Sequence, residues 1–533
     1  MPPTVERRGR AAAPGIAAGP LIRLAPAVAV TRQRGDAAGE RRDLEAAVAA
    51  AIDALGHLAR AVAVDAAEIL EFQVAMLEDT VLTDPVLARI AAGADAASAW
   101  QATIGAQIAD YESTEDDYFR ARAADLKDLR DRVLRHLAGE VETVLLAGAV
   151  LAGEDVTPSR FLSVDWSKGG GVALCAGSPS SHVAMLARSR GVAMVVGLGD
   201  LDLDGHATMI VDGDGGRIVL SPAPADWADY ESAREAAAAR RVREAAVIGK
   251  PALTSDGVPV AVMVNIAEPE EVDALDPAKS DGVGLVRTEF LFHRGGLPDE
   301  ETQFRAYRRI VEWAGGRPVV LRTLDAGGDK PIAGLTVAGE SNPFLGTRGI
   351  RLSLARPEIF RVQLRALARV AALGEVKVML PMVTVPGEID AAAAMLDDAV
   401  SELSAAGIAC RRPPLGIMVE VPAVAIEPSF FARAAFFSIG SNDLTQYVTA
   451  SARDIAAVAG LTDPGHPAVL SLIRRVVDAG RALGREVSLC GDMGGDPAHL
   501  PALIGAGLRS VSVAPPLVGR AKLAIGQIAA KAR

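Results

Sequence analysis

Hydrophobic positions follow two different periods along the chain, and the change of period separates two kinds of structure. From about Glu40 the apolar residues recur every three or four positions with charged residues between them, as in amphipathic helices. The first apolar positions of this kind are Leu44, Val48, Leu55, Leu58 and Val62. The pattern continues to about Leu146, with an expected break at the Thr83-Asp84-Pro85 turn, and it predicts a bundle of helical hairpins.

Short apolar runs separated by glycine turns follow this helical segment. They include Gly171–Ala176, Ala193–Gly197 and Thr208–Val211, and they are typical of a compact α/β domain. Together with strand-like residues near the N-terminus, they predict that residues 1–37 and 147–222 form one α/β domain. The helical bundle, residues 38–146, would then be inserted into that domain. Residues 223–249 are rich in Ala, Glu and Arg and predict a linking helix.

The region from residue 250 to residue 533 repeats one unit eight times: a short apolar run and then a longer helical segment. The runs are Val258–Ile266, Gly282–Arg287, Pro318–Leu324, Val376–Val383, Leu415–Val421, Ala435–Gly440, Glu486–Gly491 and Ser510–Ala514. Eight strand-plus-helix units in roughly 280 residues match the size of a (β/α)8 barrel. The predicted fold class is therefore α/β and multidomain, with a C-terminal TIM-type barrel.

Charge and cysteine content narrow the possible partners and the compartment. The formal net charge of -12 argues against nucleic acid or an anionic membrane as a general partner. No run of eighteen apolar residues is present, so no membrane span is expected. The cysteines Cys175, Cys410 and Cys490 are odd in number and far apart, which favours a reducing, cytoplasmic location.

Polar residues end most of the predicted barrel strands, where barrel enzymes carry their chemistry. The strand-end residues are Asn265, Arg287, Arg322, Asp325, Met382, Glu420, Asn442, Asp443 and Cys490. Arginine binds phosphate through a planar fork, and two carboxylates with substrate oxygens are what Mg²⁺ commonly accepts. The set predicts a metal-assisted site for a phosphorylated small molecule. Taken alone, Arg287 and Glu289 would be explained equally well as an ion pair at the barrel rim.

A single histidine stands at a predicted helix start. The sequence GSPSSH ends at His182 and is followed by VAMLARS, which has the pattern of a first helical turn. Unpaired backbone N–H groups and the helix dipole would stabilise a phosphate added to this imidazole. Neutral imidazole is a competent nucleophile for phosphoryl transfer. The alternative is a Ser/His turn that only caps the helix.

Several longer motifs, spread over nearly the whole chain, resemble those of a known family. In the C-terminal half they are GVGLVRTEFLF from Gly282, RTLDAGGDK from Arg322, NPFLGTRGIR from Asn342, MVEVPA from Met418, FFSIGSNDLTQY from Phe436 and LCGDMGGD from Leu489. The N-terminal half adds ARAADLKDLRDRVLR from Ala121 and SSHVAMLARS from Ser180. The chain resembles the enzyme I family of the bacterial phosphoenolpyruvate-dependent sugar phosphotransferase system.

The resemblance implies roles for individual residues. His182 would be the phosphohistidine, Cys490 the acid that protonates the enolate, and Glu420 and Asp443 the ligands of Mg²⁺. The residues implied to hold phosphoenolpyruvate are Arg287, Arg322, Arg348, Asn442 and Arg453. The helical bundle would dock the histidine-containing phosphocarrier protein HPr, and the barrel would form a homodimer. The α/β domain would swivel between the barrel and the carrier.

One departure from the family motif and two competing classes of protein keep alternatives open. The family usually has Gly-Gly-x-Thr-Ser-His before its histidine, whereas this chain has Ser178, Pro179 and Ser180, which puts transfer rate and partner choice in doubt. A dikinase relative would need a nucleotide-binding domain, for which the first 250 residues leave no room. A signalling protein without catalysis is the third possibility. The APGIAAG segment from Ala13 opens the chain without an added sensor domain, which favours sugar uptake over a nitrogen-linked relay.

Overall fold

The structure is a computed structural model that describes residues 2–24, 35–61, 64–113, 117–139, 147–179, 181–293, 296–328, 332, 334–337, 339–452 and 458–530. For residues 61, 64–69, 112–113, 117–124, 182, 293 and 459 it describes the backbone alone. The chain divides into two compact units, residues 1–238 and 239–533.

The first unit contains an eight-stranded mixed sheet. Its strands are β1 (Val5–Arg8), β2 (Arg10–Ala13), β3 (Ile16–Arg23), β4 (Val150–Gly153), β5 (Gly171–Leu174), β6 (Ala193–Val196), β7 (Thr208–Asp212) and β8 (Arg217–Leu220). The strand order is β1-β8-β7-β3-β4-β5-β6-β2, with β3 to β6 parallel and β2 antiparallel at one edge. Strand β4 is buried on both faces, because Leu151 packs into one apolar cluster and Val150 into another.

Most helices of the first unit lie in the long segment of chain between β3 and β4. The last two, which follow β4 and β5, pack against one face of the sheet. In chain order the helices are α1 (Ala37–Ala61), α2 (Val64–Glu78), α3 (Thr80–Ala91), α4 (Ala96–Ser113), α5 (Asp117–Leu137), α6 (Pro158–Leu162) and α7 (His182–Arg190). Helix α8 (Pro224–Val247) crosses the boundary between the two units and has no buried residue.

The expected break at Thr83-Asp84-Pro85 is wrong. Helix α3 continues through Pro85, and the break falls at Asp79, whose side chain caps the helix by accepting a hydrogen bond from the Val81 N–H. Proline costs the helix one backbone hydrogen bond, but Leu82, Val86 and Ile90 bury the face four residues apart and hold the helix together.

The second unit is a closed barrel of eight parallel strands. They are β9 (Ala261–Ile266), β10 (Val283–Val286), β11 (Val319–Arg322), β12 (Val376–Leu380), β13 (Leu415–Val419), β14 (Phe436–Ile439), β15 (Glu486–Leu489) and β16 (Ser510–Val513). The helices between and after them are α9 (Phe290–His293), α10 (Glu300–Ala314), α11 (Ile350–Ala355), α12 (Pro357–Val370), α13 (Pro386–Ala405), α14 (Pro422–Ile426), α15 (Ser441–Thr449), α16 (Pro467–Leu483), α17 (Leu500–Gly505) and α18 (Val518–Ile525).

Alternating side chains divide the barrel core into two parts. One large apolar cluster lies between the strands and the surrounding helices, and a smaller one fills the interior. The interior cluster comprises Leu285, Val320, Met379, Met418, Phe436 and Cys490. Because side chains fill its interior, the barrel is rigid, and the side chains at the strand ends are held in fixed positions. The predicted barrel, α/β region and helical region are confirmed.

Within the described part of the chain, no helix is both long and apolar enough to cross a membrane.

Candidate active site

A pocket opens at the carboxyl ends of the barrel strands. Its lining residues are Leu285, Arg287, Arg322, Met418, Glu420, Gly440, Asn442, Asp443, Cys490 and Gly491. Six of these are residues that the sequence singled out as candidates: Arg287, Arg322, Glu420, Asn442, Asp443 and Cys490. They come from five strand ends, so the structure brings them together although 203 positions separate Arg287 from Cys490 in the chain.

Arg322 is the last residue of β11 and is almost completely buried. Its guanidinium forms ion pairs with Glu289 and with Asp325, the latter at 3.1 Å between Nη1 and Oδ2. A buried charge is costly unless it is paired, and these two carboxylates pair it. Glu289 therefore pairs with Arg322, and the ion pairs seen between described residues do not include one from Arg287 to Glu289.

Arg348 is fully buried beside the same aspartate. Its Nε and Nη2 donate to the two oxygens of Asp325 at 3.0 and 3.1 Å, which is a bidentate arrangement. Its Nη2 also donates to Asp443 Oδ2 at 2.8 Å. Asp325 thus orients two arginines at once, Arg322 and Arg348.

Glu420 follows β13 and is held by a backbone donor. Its Oε1 accepts a hydrogen bond of 2.7 Å from the Met382 N–H. Met382 adopts a left-handed backbone with φ of 58°, a conformation that costs roughly 1–3 kcal/mol outside glycine. Gly349 makes room for it, because a Cβ there would lie 2.8 Å from the Met382 Cβ. Burial raises the pKa of Glu420 to about 8, and the carboxylates of Asp325 and Asp443 add to the shift.

Cys490 follows β15 and carries its thiol at the top of the barrel interior. The residue is 6% exposed, and its Sγ lies 3.7 Å from the Ile439 carbonyl oxygen, to which it donates. Burial raises the pKa of the Cys490 thiol to about 11. The thiol is therefore protonated at neutral pH and is suited to donate a proton rather than to attack as a thiolate.

Arg287 and Asn442 differ in how they are held. Among the described residues, the exposed Arg287 guanidinium has neither a hydrogen-bond nor an ion-pair partner, which leaves it available to an anion. Asn442 is tied to the loop after β15: its Nδ2 donates to Asp492 Oδ2, and its Oδ1 accepts from the Asp492 N–H, both at 2.9 Å.

The donor set of the pocket fits a divalent cation that completes its shell with substrate oxygens. Around the pocket, in the part of the chain that the structure describes, the carboxylates Glu289, Asp325, Glu420 and Asp443 outnumber the guanidiniums Arg287, Arg322 and Arg348. The pKa of Glu420 is raised mainly by burial, and the neighbouring carboxylates of Asp325 and Asp443 raise it further. No cluster of three acidic, histidine or cysteine ligands occurs among the described residues, so the protein would supply two carboxylates.

His182 is the first residue of α7 in the first unit. The helix is capped by Ser181, whose hydroxyl oxygen accepts from the Ala184 N–H at 3.2 Å. The predicted helix start is therefore correct, and the first backbone N–H groups lie beside the histidine. The structure describes only the backbone of His182, and Ser180 and Arg453 lie outside the described residues.

The sequence did not predict several residues that bind and orient the side chains of the pocket. Glu289 was considered only as a partner of Arg287, and the roles of Met382 and Asp492 were not predicted. Asp325 was noted at a strand end but was not given the role of orienting two arginines. The signal that could have found Asp325 is its place in RTLDAGGDK, three residues after Arg322.

The closed barrel and its charged mouth define a class: barrel enzymes whose site suits a small anionic substrate. Residues 241–530 match the family described as PEP-utilising enzyme, PEP-binding domain. Residues 8–122 match PEP-utilising enzyme, N-terminal, and residues 145–216 match PEP-utilising enzyme, mobile domain. The chain belongs to the family of PEP-utilising enzymes.

Similar proteins cover almost the full length. The phosphoenolpyruvate-protein phosphotransferase of Bacillus sp. (strain S) is 36% identical over 98% of this chain and 93% of its own length. The protein of the same name from Geobacillus stearothermophilus is 37% identical over 95% of this chain and 90% of its own. An Enzyme I protein solved by NMR is 28% identical and covers 43% of this chain and 98% of its own, with a TM-score of 0.36. The resemblance inferred from the motifs is confirmed.

Proposed function

We propose that this chain is a phosphoenolpyruvate-protein phosphotransferase. It takes the phosphoryl group of phosphoenolpyruvate onto His182, releases pyruvate, and passes the group to the phosphocarrier protein HPr as the first step of sugar uptake. The proposal rests on the composition of the pocket at the barrel mouth. There the exposed guanidinium of Arg287, which has no partner within the described part of the chain, lines the pocket with buried Arg322, two carboxylates and a protonated thiol.

Arginines and a cation hold the substrate in this proposal. Arg287, Arg322, Arg348 and Arg453 bind phosphoenolpyruvate, mainly through its phosphate, and Asn442 assists. Glu420 and Asp443 would hold Mg²⁺, which neutralises phosphate charge when it is bound. Phosphoryl transfer depends mostly on such positioning and charge neutralisation.

The bond changes are balanced by two protein groups. A nitrogen of neutral His182 forms a bond to phosphorus while the bond from phosphorus to the enol oxygen breaks. The enolate left behind takes a proton at C3 from the Cys490 thiol, giving pyruvate, and the thiolate regains a proton from water. The raised pKa of Cys490 supports this role, because a group that is almost fully protonated at pH 7 can donate in every turnover.

The two reactive groups belong to different units, so we propose that the α/β domain swivels between the barrel and the carrier. The domain limits are those expected from the sequence: residues 1–37 and 147–222 for the α/β domain, 38–146 for the HPr-binding bundle, 223–249 for the linker and 250–533 for the barrel. A cross-link that locks one orientation should abolish full turnover but spare one half-reaction. Full turnover in the locked protein would contradict the swivel.

We also propose a homodimer through the barrel. Five exposed large apolar residues lie in the segments that follow four successive strands, β11 to β14: Leu345, Val385, Ile426 at the end of α14, Phe430 and Leu461. The first two segments are joined by Arg351, which donates to the Leu345 carbonyl and to the Thr384 hydroxyl. An apolar surface of this kind is suited to a second copy. Phe430→Asp should shift the sedimentation of the full chain toward monomer, and an unchanged mass would contradict this surface.

The direct test of the function uses ³²P-labelled phosphoenolpyruvate. The protein is incubated with the labelled substrate and Mg²⁺ beside a His182→Ala variant, and HPr is then added. We expect acid-labile label on the wild type alone, which moves to HPr. Label that forms but does not move would indicate another carrier, and no label on either protein would contradict the proposed function.

A further inference from the structure

Arg188 reaches back along its own helix to the loop before His182. It lies six residues after His182 on α7, and helical side chains lean toward the helix N-terminus. Its Nη1 donates to the Pro179 carbonyl at 2.8 Å and to the Ala12 carbonyl of strand β2 at 2.6 Å. One guanidinium therefore connects the helix, the loop and the edge strand of the sheet.

Arg10 holds the other end of the same loop. It is the first residue of β2, and its Nη2 donates to the Gly177 carbonyl at 2.8 Å. Gly177 has a backbone φ of 91°, a conformation that glycine adopts more readily than other residues. Both arginines thus fasten the loop to β2, against which helix α7 also packs.

The two side chains donate hydrogen bonds to carbonyls in the described part of the loop, residues 177–179. The remaining carbonyl, that of Ser178, accepts from the Ser181 N–H at 3.0 Å, and Ser181 then caps the helix. Carbonyls 177, 178 and 179 are therefore all bonded. The N–H groups at the first two positions of the helix have no acceptor within the helix, and such groups at a helix N-terminus favour an added phosphoryl group.

We propose that Arg10 and Arg188 are positioning residues for phosphoryl transfer: by holding Gly177 and Pro179 they fix the point at which helix α7 begins, and with it the backbone of His182. This inference rests on the proposed function. Their two positive charges also lie beside the loop that must accept a doubly negative group, which favours the phosphorylated form. Pro179 restricts the loop further, because its ring fixes φ.

The inference is tested by single-turnover labelling of the full-length chain with phosphoenolpyruvate and Mg²⁺. We expect Arg188→Met to lower the rate of His182 phosphorylation at saturating substrate roughly ten- to hundredfold, since misplacement by about 1 Å has effects of that size. The substrate concentration for half-maximal rate should not change, because the barrel holds the substrate. Arg188→Lys should recover part of the rate, because one ammonium can still donate to a carbonyl.

Matched controls separate positioning from charge and from folding. Arg190→Met removes the same charge from the end of the same helix, and it should stay within twofold of the wild type. Arg10→Met removes the second contact from an exposed side chain and should slow transfer even if Arg188→Met fails to fold.

Two results would overturn the inference. One is transfer within twofold of the wild type in both Arg10→Met and a folded Arg188→Met, and the other is a loss that Arg190→Met reproduces. Absence of label on the wild type is a different outcome, because it would overturn the proposed function itself.

Discussion

The barrel mouth and the His182 loop hold their functional groups in opposite ways. In the mouth, side chains hold side chains: Arg348 has no exposed surface, and its guanidinium is bound by Asp325 and Asp443. In the loop, exposed arginines hold backbone carbonyls, and the reactive residue stands at a helix start. A site that binds one small substrate can be buried and rigid. A nucleophile that meets two different partners must remain accessible, so only its loop can be fixed.

The largest effect in either region is expected at Arg348. Arg348→Met leaves Asp325 and Asp443 buried without their shared cation, so the free energy of unfolding should fall by roughly 3–5 kcal/mol and phosphorylation should be lost. Calorimetry of the full chain and the labelling assay measure the two effects. Arg348→Lys, which keeps the charge, should lose less stability than Arg348→Met, and equal losses would show that the charge is not what matters.

Removal of the thiol should act on chemistry with little effect on binding. Cys490→Ala should lower kcat about 10²-fold or more, the typical contribution of a positioned acid, with little change in phosphoenolpyruvate affinity. Pyruvate formation in stopped flow measures kcat, and equilibrium dialysis measures affinity. A variant with wild-type kcat would remove Cys490 from the mechanism.

The thiol also predicts a pH dependence. A pKa raised to about 11 keeps Cys490 protonated at alkaline pH, where an ordinary thiol has already lost its proton. Alkylation of Cys490 by iodoacetamide should therefore be slow at pH 8.5 and should rise only above about pH 10. Fast modification at pH 8.5, measured by peptide mass spectrometry against free glutathione, would contradict the raised pKa.

Glu420 should show the cost of burying a carboxylate beside the carboxylates of Asp325 and Asp443. Its folded pKa, about 8, lies above its ordinary value, so the native state binds the extra proton between the two values and loses stability as pH rises through that range. Without divalent cations, Glu420→Gln should be more stable than the wild type at pH 8 by at most a few kcal/mol, since one pKa unit is about 1.4 kcal/mol, and equally stable near pH 4.

Added Mg²⁺ sharpens this test. It should raise the apparent Tm of the wild type at pH 8 and leave that of Glu420→Gln nearly unchanged, because a neutral amide is a poor ligand. An equal rise in both proteins would place the cation elsewhere.

The smallest effect is expected where the same type of ion pair is exposed. Arg361 pairs with Glu402 across helices α12 and α13, and its side chain is 56% exposed. Arg361→Ala should change the free energy of unfolding by less than about 1 kcal/mol, because solvent screens the pair. A loss as large as that of Arg348→Met would mean that burial does not explain the difference between them.

Local pattern predicted most of the fold because strand runs and helical periods are local properties. The run Pro318–Leu324, for example, contains β11 and ends in the loop that begins the site. Pro85 was misjudged because the buried face of α3 outweighs one lost hydrogen bond. The pocket residues were predicted by their strand-end positions.

The pairing of those residues was not predicted, because it depends on distances across the barrel. The spacing of residues in the sequence predicts neither the ion pair of Arg322 with Glu289 nor the left-handed backbone of Met382. The binding and catalytic roles of the site residues, the identity of the metal and the domain limits stay predictions.

Single-turnover stoichiometry tests the central claim most directly. Wild-type protein mixed with phosphoenolpyruvate and Mg²⁺, without carrier, should release one pyruvate per chain in a burst and gain one phosphoryl group. His182→Ala should bind substrate but show neither. A burst of pyruvate of equal size from His182→Ala would contradict the transfer of the phosphoryl group to that histidine.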